Sequence, residues 1–147
     1  MPKTTGASLR TDLAPRLRLA VVRLARRLRR EAQGPLSGPL LSALARVVHR
    51  GPLTIGDLAA AEGMRPPSMT RIVAALGEAG VIVRGTDPDD RRVSWVRPTA
   101  AGRRLVDRSK GRMSAFLERR LHTMSPEEIE TLDRACALLE RLSEDEQ

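Results

Sequence analysis

Arg65, Pro67, Ser68, Thr70 and Arg71 crowd one short stretch of this chain, and further along Arg91 and Arg92 follow the acidic run Asp87-Pro88-Asp89-Asp90. A guanidinium can pair with two acceptors on guanine or grip a phosphate, and hydroxyls can reach phosphates or base edges. The first set therefore has the chemistry of duplex-DNA readout. Taken alone it could equally be a solvated helix face. In the second set an arginine can enter a narrow minor groove, where negative potential is enhanced. The same arginines could instead pair with an acid, through Asp90, and stiffen a hairpin. Both roles can hold at once, and the sequence leaves open which arginine does which.

Other chemistries find less support. No phosphate-binding glycine loop and no nucleophile in a motif context are present, and the carboxylates after residue 125 spread along a helix like a solvated face, so an enzyme is not expected. Cys136 is the single cysteine, which excludes an internal disulfide and argues against a cysteine metal site. His49 and His122 fall near expected helix C-termini, where a cation meets the helix dipole favourably. Neither a metal nor a cofactor is expected. With no Tyr, one Phe and one Trp, the chain lacks the stacking platforms of single-strand binders, which favours a double-stranded partner.

The charge agrees with a polyanion partner. The formal net charge is +8 over 147 residues. Residues 1–36 hold nine basic and two acidic groups, 37–104 hold ten and six, and 105–147 hold seven and ten, so the positive charge lies in the first two thirds. Lys and Arg that neutralise phosphates release condensed counterions, a gain open to DNA and to membranes alike. Against a membrane, the run Leu19-Ala20-Val21-Val22 is too short for a span or a signal-peptide core. A cytoplasmic location is expected. All basic residues except Lys3 and Lys110 are arginine, which suits bidentate contacts but also fits codon bias, and so decides nothing.

The elements that must position these residues can be read from periodicity. Leu13, Leu17, Val21, Leu24 and Leu28 mark a long amphipathic helix to about Glu31, with Asp12 as N-cap and Pro15 in the first turn. Ser37-Gly38-Pro39 opens a second helix bearing Leu40, Leu41, Leu44, Val47 and Val48. Thr54 and Asp57 form a capping pair for a short third helix that closes near Gly63. Pro66-Pro67 fits only a first helical turn, where amides have no helical partner anyway, and Met69, Ile72, Val73 and Leu76 make the core stripe of this fourth helix. Opposite lie Pro67, Arg71, Ala74 and Glu78.

After Gly80, Val81 to Arg84 reads as a strand, Gly85 to Asp90 as a turn and Arg92 to Arg97 as the returning strand. Thr99 caps a long helix to about His122, and Ser125-Pro126-Glu127-Glu128 is a capping box for a last helix with Ile129, Leu132, Cys136, Leu139 and Leu142 in a near-heptad stripe. The expectation is a mainly α fold: a winged helix-turn-helix of six helices and a small β-ribbon. Residues 37–98 would form the DNA-binding domain. Residues 1–36 and 99–147 carry apolar stripes too extended for so small a module to cover, and a second copy of the chain is their simplest partner.

Leu58-Ala59 with Gly63, Pro67-Ser68-Met69-Thr70-Arg71-Ile72, Leu76-Gly77-Glu78-Ala79-Gly80-Val81, Asp87-Pro88-Asp89-Asp90-Arg91-Arg92 and Pro98-Thr99-Ala100-Ala101-Gly102 together resemble the MarR-type transcriptional regulators. The acidic-arginine wing followed by Thr-x-x-Gly is the most specific part. The resemblance implies a bacterial, homodimeric winged-helix repressor on a palindromic operator, often released by a small anionic or aromatic ligand or by oxidation. Two departures stand out. Arg65 replaces the usual serine cap before the recognition helix, and Pro66-Pro67 replace more polar residues, so base specificity should differ from that of a generic member. Cys136 lies on the final helix, not the N-terminal helix of the oxidation-sensing branch, and is expected to be a buried inert thiol.

For an effector, Arg16, Met113 and Phe116 are the expected lining of a cleft between the dimer helices and the winged module. The alternative from another class is a constitutive architectural protein that coats double-stranded DNA without operator or effector.

Overall fold

The computed structural model describes residues 6–144; the extreme ends of the expected segments 1–36 and 99–147 lie outside the described residues. Two compact units divide the chain, one ending at Met113 and one beginning at Ser114. In the first unit α1 (Gly6–Glu31), α2 (Gly38–Arg50), β1 (Leu53–Thr54), α3 (Ile55–Ala61), α4 (Pro66–Glu78), β2 (Ile82–Thr86) and β3 (Ser94–Pro98) precede α5 (Ala100–Leu121), whose later residues belong to the second unit with α6 (Pro126–Ser143). The expected mainly α winged helix-turn-helix with six helices is present.

The core of the first unit gathers Leu44 and Val47 of α2, Leu58 of α3, Met69, Val73 and Leu76 of α4, Ile82 and Val96 of the sheet, and Leu105 and Val106 of α5. Each such side chain contributes about 1.5–3 kcal/mol relative to exposure. Three of them come from α4, so its position is set from behind while its opposite face stays in solvent. The first turns of α5 are also part of this core, since Leu105, Val106 and Ser109 are buried. At the end of α3, Glu62 accepts from Ser42 Oγ at 2.6 Å and from Arg46 Nε at 2.9 Å, tying α3 to α2.

Three features differ from the sequence reading. First, α1 begins at Gly6 and not at Asp12, so Pro15 lies inside the helix. A proline there removes one ladder bond, while Leu9, Arg10, Leu13 and Ala14 are good helix formers that continue the turn across it. Second, the ribbon is a three-stranded antiparallel sheet of order β1-β3-β2. The added strand has only two residues, Leu53 opposite Val96 and Thr54 opposite Trp95, too few to display an alternating pattern. Third, Cys136 is exposed. It shares the α6 stripe with Ile129, Leu132 and Leu139, which is itself uncovered in the single chain.

Local signals otherwise act as expected. Thr54 Oγ1 accepts from the Asp57 amide at 3.0 Å, Gly63 and Gly80 close α3 and α4 at φ of 63° and 69°, and Ser125 and Glu128 complete a reciprocal capping box. Ser37 holds the N-cap position of α2 but makes no side-chain capping bond.

Candidate nucleic-acid interface

The exposed face of α4 and the loop between β2 and β3 carry the arginines singled out above. Arg65, Pro67, Ser68, Thr70 and Arg71 are all exposed. Arg65 is the N-cap of α4 through its backbone alone: its carbonyl accepts from the Ser68 and Met69 amides at 3.0 and 3.1 Å, and its side chain makes no capping bond. The guanidinium groups of Arg65 and Arg71 are in no ion pair with a described residue. Thr70 departs from expectation, because its hydroxyl donates to the Pro66 carbonyl at 2.9 Å instead of pointing outward as a donor. Back-bonding of this kind is a common choice for threonine within a helix.

The wing is built on Asp87, which the sequence reading left in an undifferentiated acidic turn. Its Oδ1 accepts from the amides of Asp89 and Asp90 at 2.9 and 3.2 Å, and its Oδ2 accepts from the Trp95 indole at 2.9 Å. These bonds hold the Asp87 carboxyl below its ordinary value, the Trp95 bond most, then the Asp89 and Asp90 amides. The Asp87 amide donates to the Val93 carbonyl at 2.9 Å and closes the loop.

Asp90 acts differently from the ion pair considered above. Its Oδ1 accepts from the Arg92 amide at 2.9 Å and its carbonyl from the Val93 amide at 2.9 Å. Two short backbone bonds use its acceptors within the turn, and among the described residues no ion pair reaches Arg91 or Arg92. Both guanidiniums project from an ordered turn into solvent. Arg84 and Arg97, on the wing strands, are exposed as well and add to this positive surface.

The wing is joined to the helix-turn-helix at two points, one at the end of α4 and one at the start of α3. Thr99 Oγ1 donates to the Gly80 carbonyl at 2.8 Å and accepts from the Gly102 amide at 3.1 Å, while the Thr99 amide donates to the Val81 carbonyl at 3.0 Å. One residue thus caps α5 and holds the turn that ends α4. Gly102 is required beside it, because a Cβ there would run into the Val81 carbonyl. On the other side, Trp95 faces Gly85 in β2 and Thr54 in β1, so the strand that carries the Asp87 partner also borders the cap of α3.

Of the expected effector residues, Arg16 lies on α1 and Met113 and Phe116 on α5. Arg16 lines a shallow groove with Leu13, Leu17, Leu19, Ala20 and Arg23, all of α1. Met113 is half-buried in the first unit. Phe116, in the second unit, is buried, with the Arg120 guanidinium 5.4 Å from its ring centroid. His49 lies in the last turn of α2 and His122 just beyond α5. Among the described residues no helix is long and apolar enough to cross a membrane.

Comparison with known proteins places this geometry. The sequence profile described as MarR family matches residues 36–94. An uncharacterised HTH-type transcriptional regulator of Mycobacterium leprae is 40% identical over 128 residues, covering 86% of this chain and 90% of the relative. The crystal structure of a Pseudomonas aeruginosa protein described as a transcriptional regulator superposes with a TM-score of 0.84 at 33% identity, covering 94% of this chain and 98% of that one. A Staphylococcus aureus MepR variant bound to an oligodeoxyribonucleotide shares the fold, with a TM-score of 0.68 at 18% identity over 89% of this chain and 98% of that one.

Proposed function

The chain belongs to the MarR family of helix-turn-helix transcriptional regulators, which bind DNA and are not enzymes, and from that premise we propose that it is a homodimeric repressor acting on a palindromic operator in the bacterial cytoplasm. In this reading α4 of each protomer enters a major groove, the two copies one helical turn (about 34 Å) apart, with Arg65, Pro67, Ser68, Thr70 and Arg71 facing the bases and phosphates. Arg91 and Arg92 reach the flanking minor grooves, and Asp90 orders the turn that presents them.

The observation that carries the reading is the pairing of an anchored α4, buried through Met69, Val73 and Leu76, with a wing whose two arginines are held out on an ordered turn without acidic partners. Arginine left unpaired on a surface is available to phosphate at no cost of breaking an ion pair. The dimer is supported by apolar side chains left in solvent: Leu9, Leu13 and Leu24 on α1, and Leu132, Leu138 and Leu142 on α6. Stripes of this extent on a small chain call for a partner surface.

Release by a small aromatic or anionic ligand is the regulatory half of the proposal, with Arg16, Met113 and Phe116 as its lining. Such a ligand acts only if it binds one spacing of the two α4 helices better than another. Calorimetric titration with small aromatic acids tests it, and absence of binding removes it.

A footprint on the DNA upstream of the protein's own gene tests the main reading. A short, two-fold symmetric protected segment is expected. Diffuse protection at all concentrations would instead fit an architectural protein that coats DNA.

A further inference from the structure

The N-terminal end of α4 offers few backbone amides for the usual capture of phosphate. Pro66 and Pro67 have no N–H to offer, and the Ser68 and Met69 amides are both engaged by the Arg65 carbonyl. Of the four amides that a helix start ordinarily leaves open to an anion, here those of residues 65–68, two are absent and that of Ser68 is engaged, which leaves the Arg65 amide alone. The only threonine on this face is closed as a donor too, since its proton lies on the Pro66 carbonyl. What Thr70 presents outward is a methyl group and acceptor lone pairs.

Apart from Ser68, Arg71 and, further along, Glu78, the exposed positions on this face present small apolar groups. Pro67, Thr70, Arg71 and Ala74 recur at helical spacing and are all exposed, so a pyrrolidine ring and two methyl groups surround one guanidinium. In a major groove the matching feature is the C5-methyl of thymine, which apolar side chains and the threonine methyl contact, whereas arginine matches guanine N7 and O6.

We infer that Pro67, Thr70 and Ala74 read thymine methyl groups beside a guanine read by Arg71, and that phosphate anchoring near this end of α4 comes chiefly from side chains. The inference rests on the sequence-specific reading above and names the base chemistry it uses. Withdrawing one methyl-sized group from water sets the scale: roughly fourfold in affinity for each thymine methyl.

The test begins with selection of the preferred duplex from a random pool by the full-length protein. Each thymine of the selected half-site is then replaced by 2′-deoxyuridine, which removes the methyl and keeps the base-pairing edge. The wild-type protein should lose roughly fourfold at one or more thymines flanking a guanine. Thr70→Ser keeps the hydroxyl and deletes the methyl, so it should bind the thymine site less tightly and become indifferent to deoxyuridine at one of those positions. Pro67→Ser should do the same at another. Both residues are exposed, and matched thermal unfolding of the variants confirms that folding is unchanged. A selected site at which every thymine tolerates deoxyuridine overturns the inference and leaves sequence-specific binding intact. Failure to select any site overturns both.

Discussion

The Trp95 indole N–H donates to Asp87 Oδ2 at 2.9 Å, while Asp87 Oδ1 accepts from the amides of Asp89 and Asp90. A single carboxylate therefore links the strand that returns from the wing to the turn that displays Arg91 and Arg92. Because Trp95 also faces Thr54 across the sheet, the wing's posture is referred to the start of α3 and through it to the helix-turn-helix.

Asp87→Asn should loosen the wing without unfolding the protein. An amide in place of the carboxylate loses the charge that these three N–H groups favour. Trp95 is the only tryptophan, so its fluorescence reports this directly. The variant should show a shifted emission, weaker DNA binding and an unchanged far-ultraviolet circular dichroism spectrum. An emission spectrum identical to wild type would show that the contact does not order the wing.

The same bond fixes the pH response. The Asp87 carboxyl is held below its ordinary value, first by Trp95 and then by the Asp89 and Asp90 amides. A depressed folded-state value means the contribution is present above the unfolded value of about 3.9 and is lost as pH falls through the folded one. Trp95 fluorescence should accordingly stay flat from pH 8 to about 5 and change only below about 4. A wing transition centred between pH 5 and 8 would contradict this assignment.

Much of this organisation was legible in the residues. Met69, Ile72, Val73 and Leu76 marked the buried side of α4, Thr54 with Asp57 and Ser125 with Glu128 marked helix starts, and Gly80 marked a stop, because each signal is local. Long-range partners were not legible. The pairing of β1 with β3 spans two residues and carries no period, and Asp87 could not be told from Asp89 or Asp90 until the fold brought Trp95 beside it. Pro15 misled for a related reason: a proline signals a helix start, but it is also tolerated inside when the flanking residues favour the helix strongly enough.

Arg91→Ala and Arg92→Ala should act mainly on affinity and its salt dependence. Each phosphate contact removed should flatten the slope of log K against log salt by about 1. Titrations at several salt concentrations measure it. Slopes equal to wild type for both variants would remove the wing from the interface.

Gly102→Ala should destabilise the first unit, because the new Cβ meets the Val81 carbonyl at the joint between α4, the sheet and α5. Overpacking against backbone costs about 1–3 kcal/mol. Chemical denaturation would register it as a lower midpoint with an unchanged slope. Wild-type stability would mean the joint can open without penalty.

Leu132→Glu places a charge on the exposed α6 stripe, where the single chain leaves this leucine 41% exposed. The monomer should fold as before while the dimer dissociates, an outcome that sedimentation equilibrium resolves. An intact dimer would exclude this face from the interface.

The central claim is that α4 reads bases, and Arg71 tests it most directly. The measurement is the affinity of wild type and Arg71→Ala for the selected site and for random duplex at one salt concentration. Loss of a bidentate guanine contact is worth about 1–3 kcal/mol at each half-site, and both protomers lose it, so dimer binding to the selected site should fall by roughly thirtyfold to more than ten-thousandfold while binding to random DNA changes little. Equal losses on both duplexes would contradict base readout and leave Arg71 as a phosphate contact.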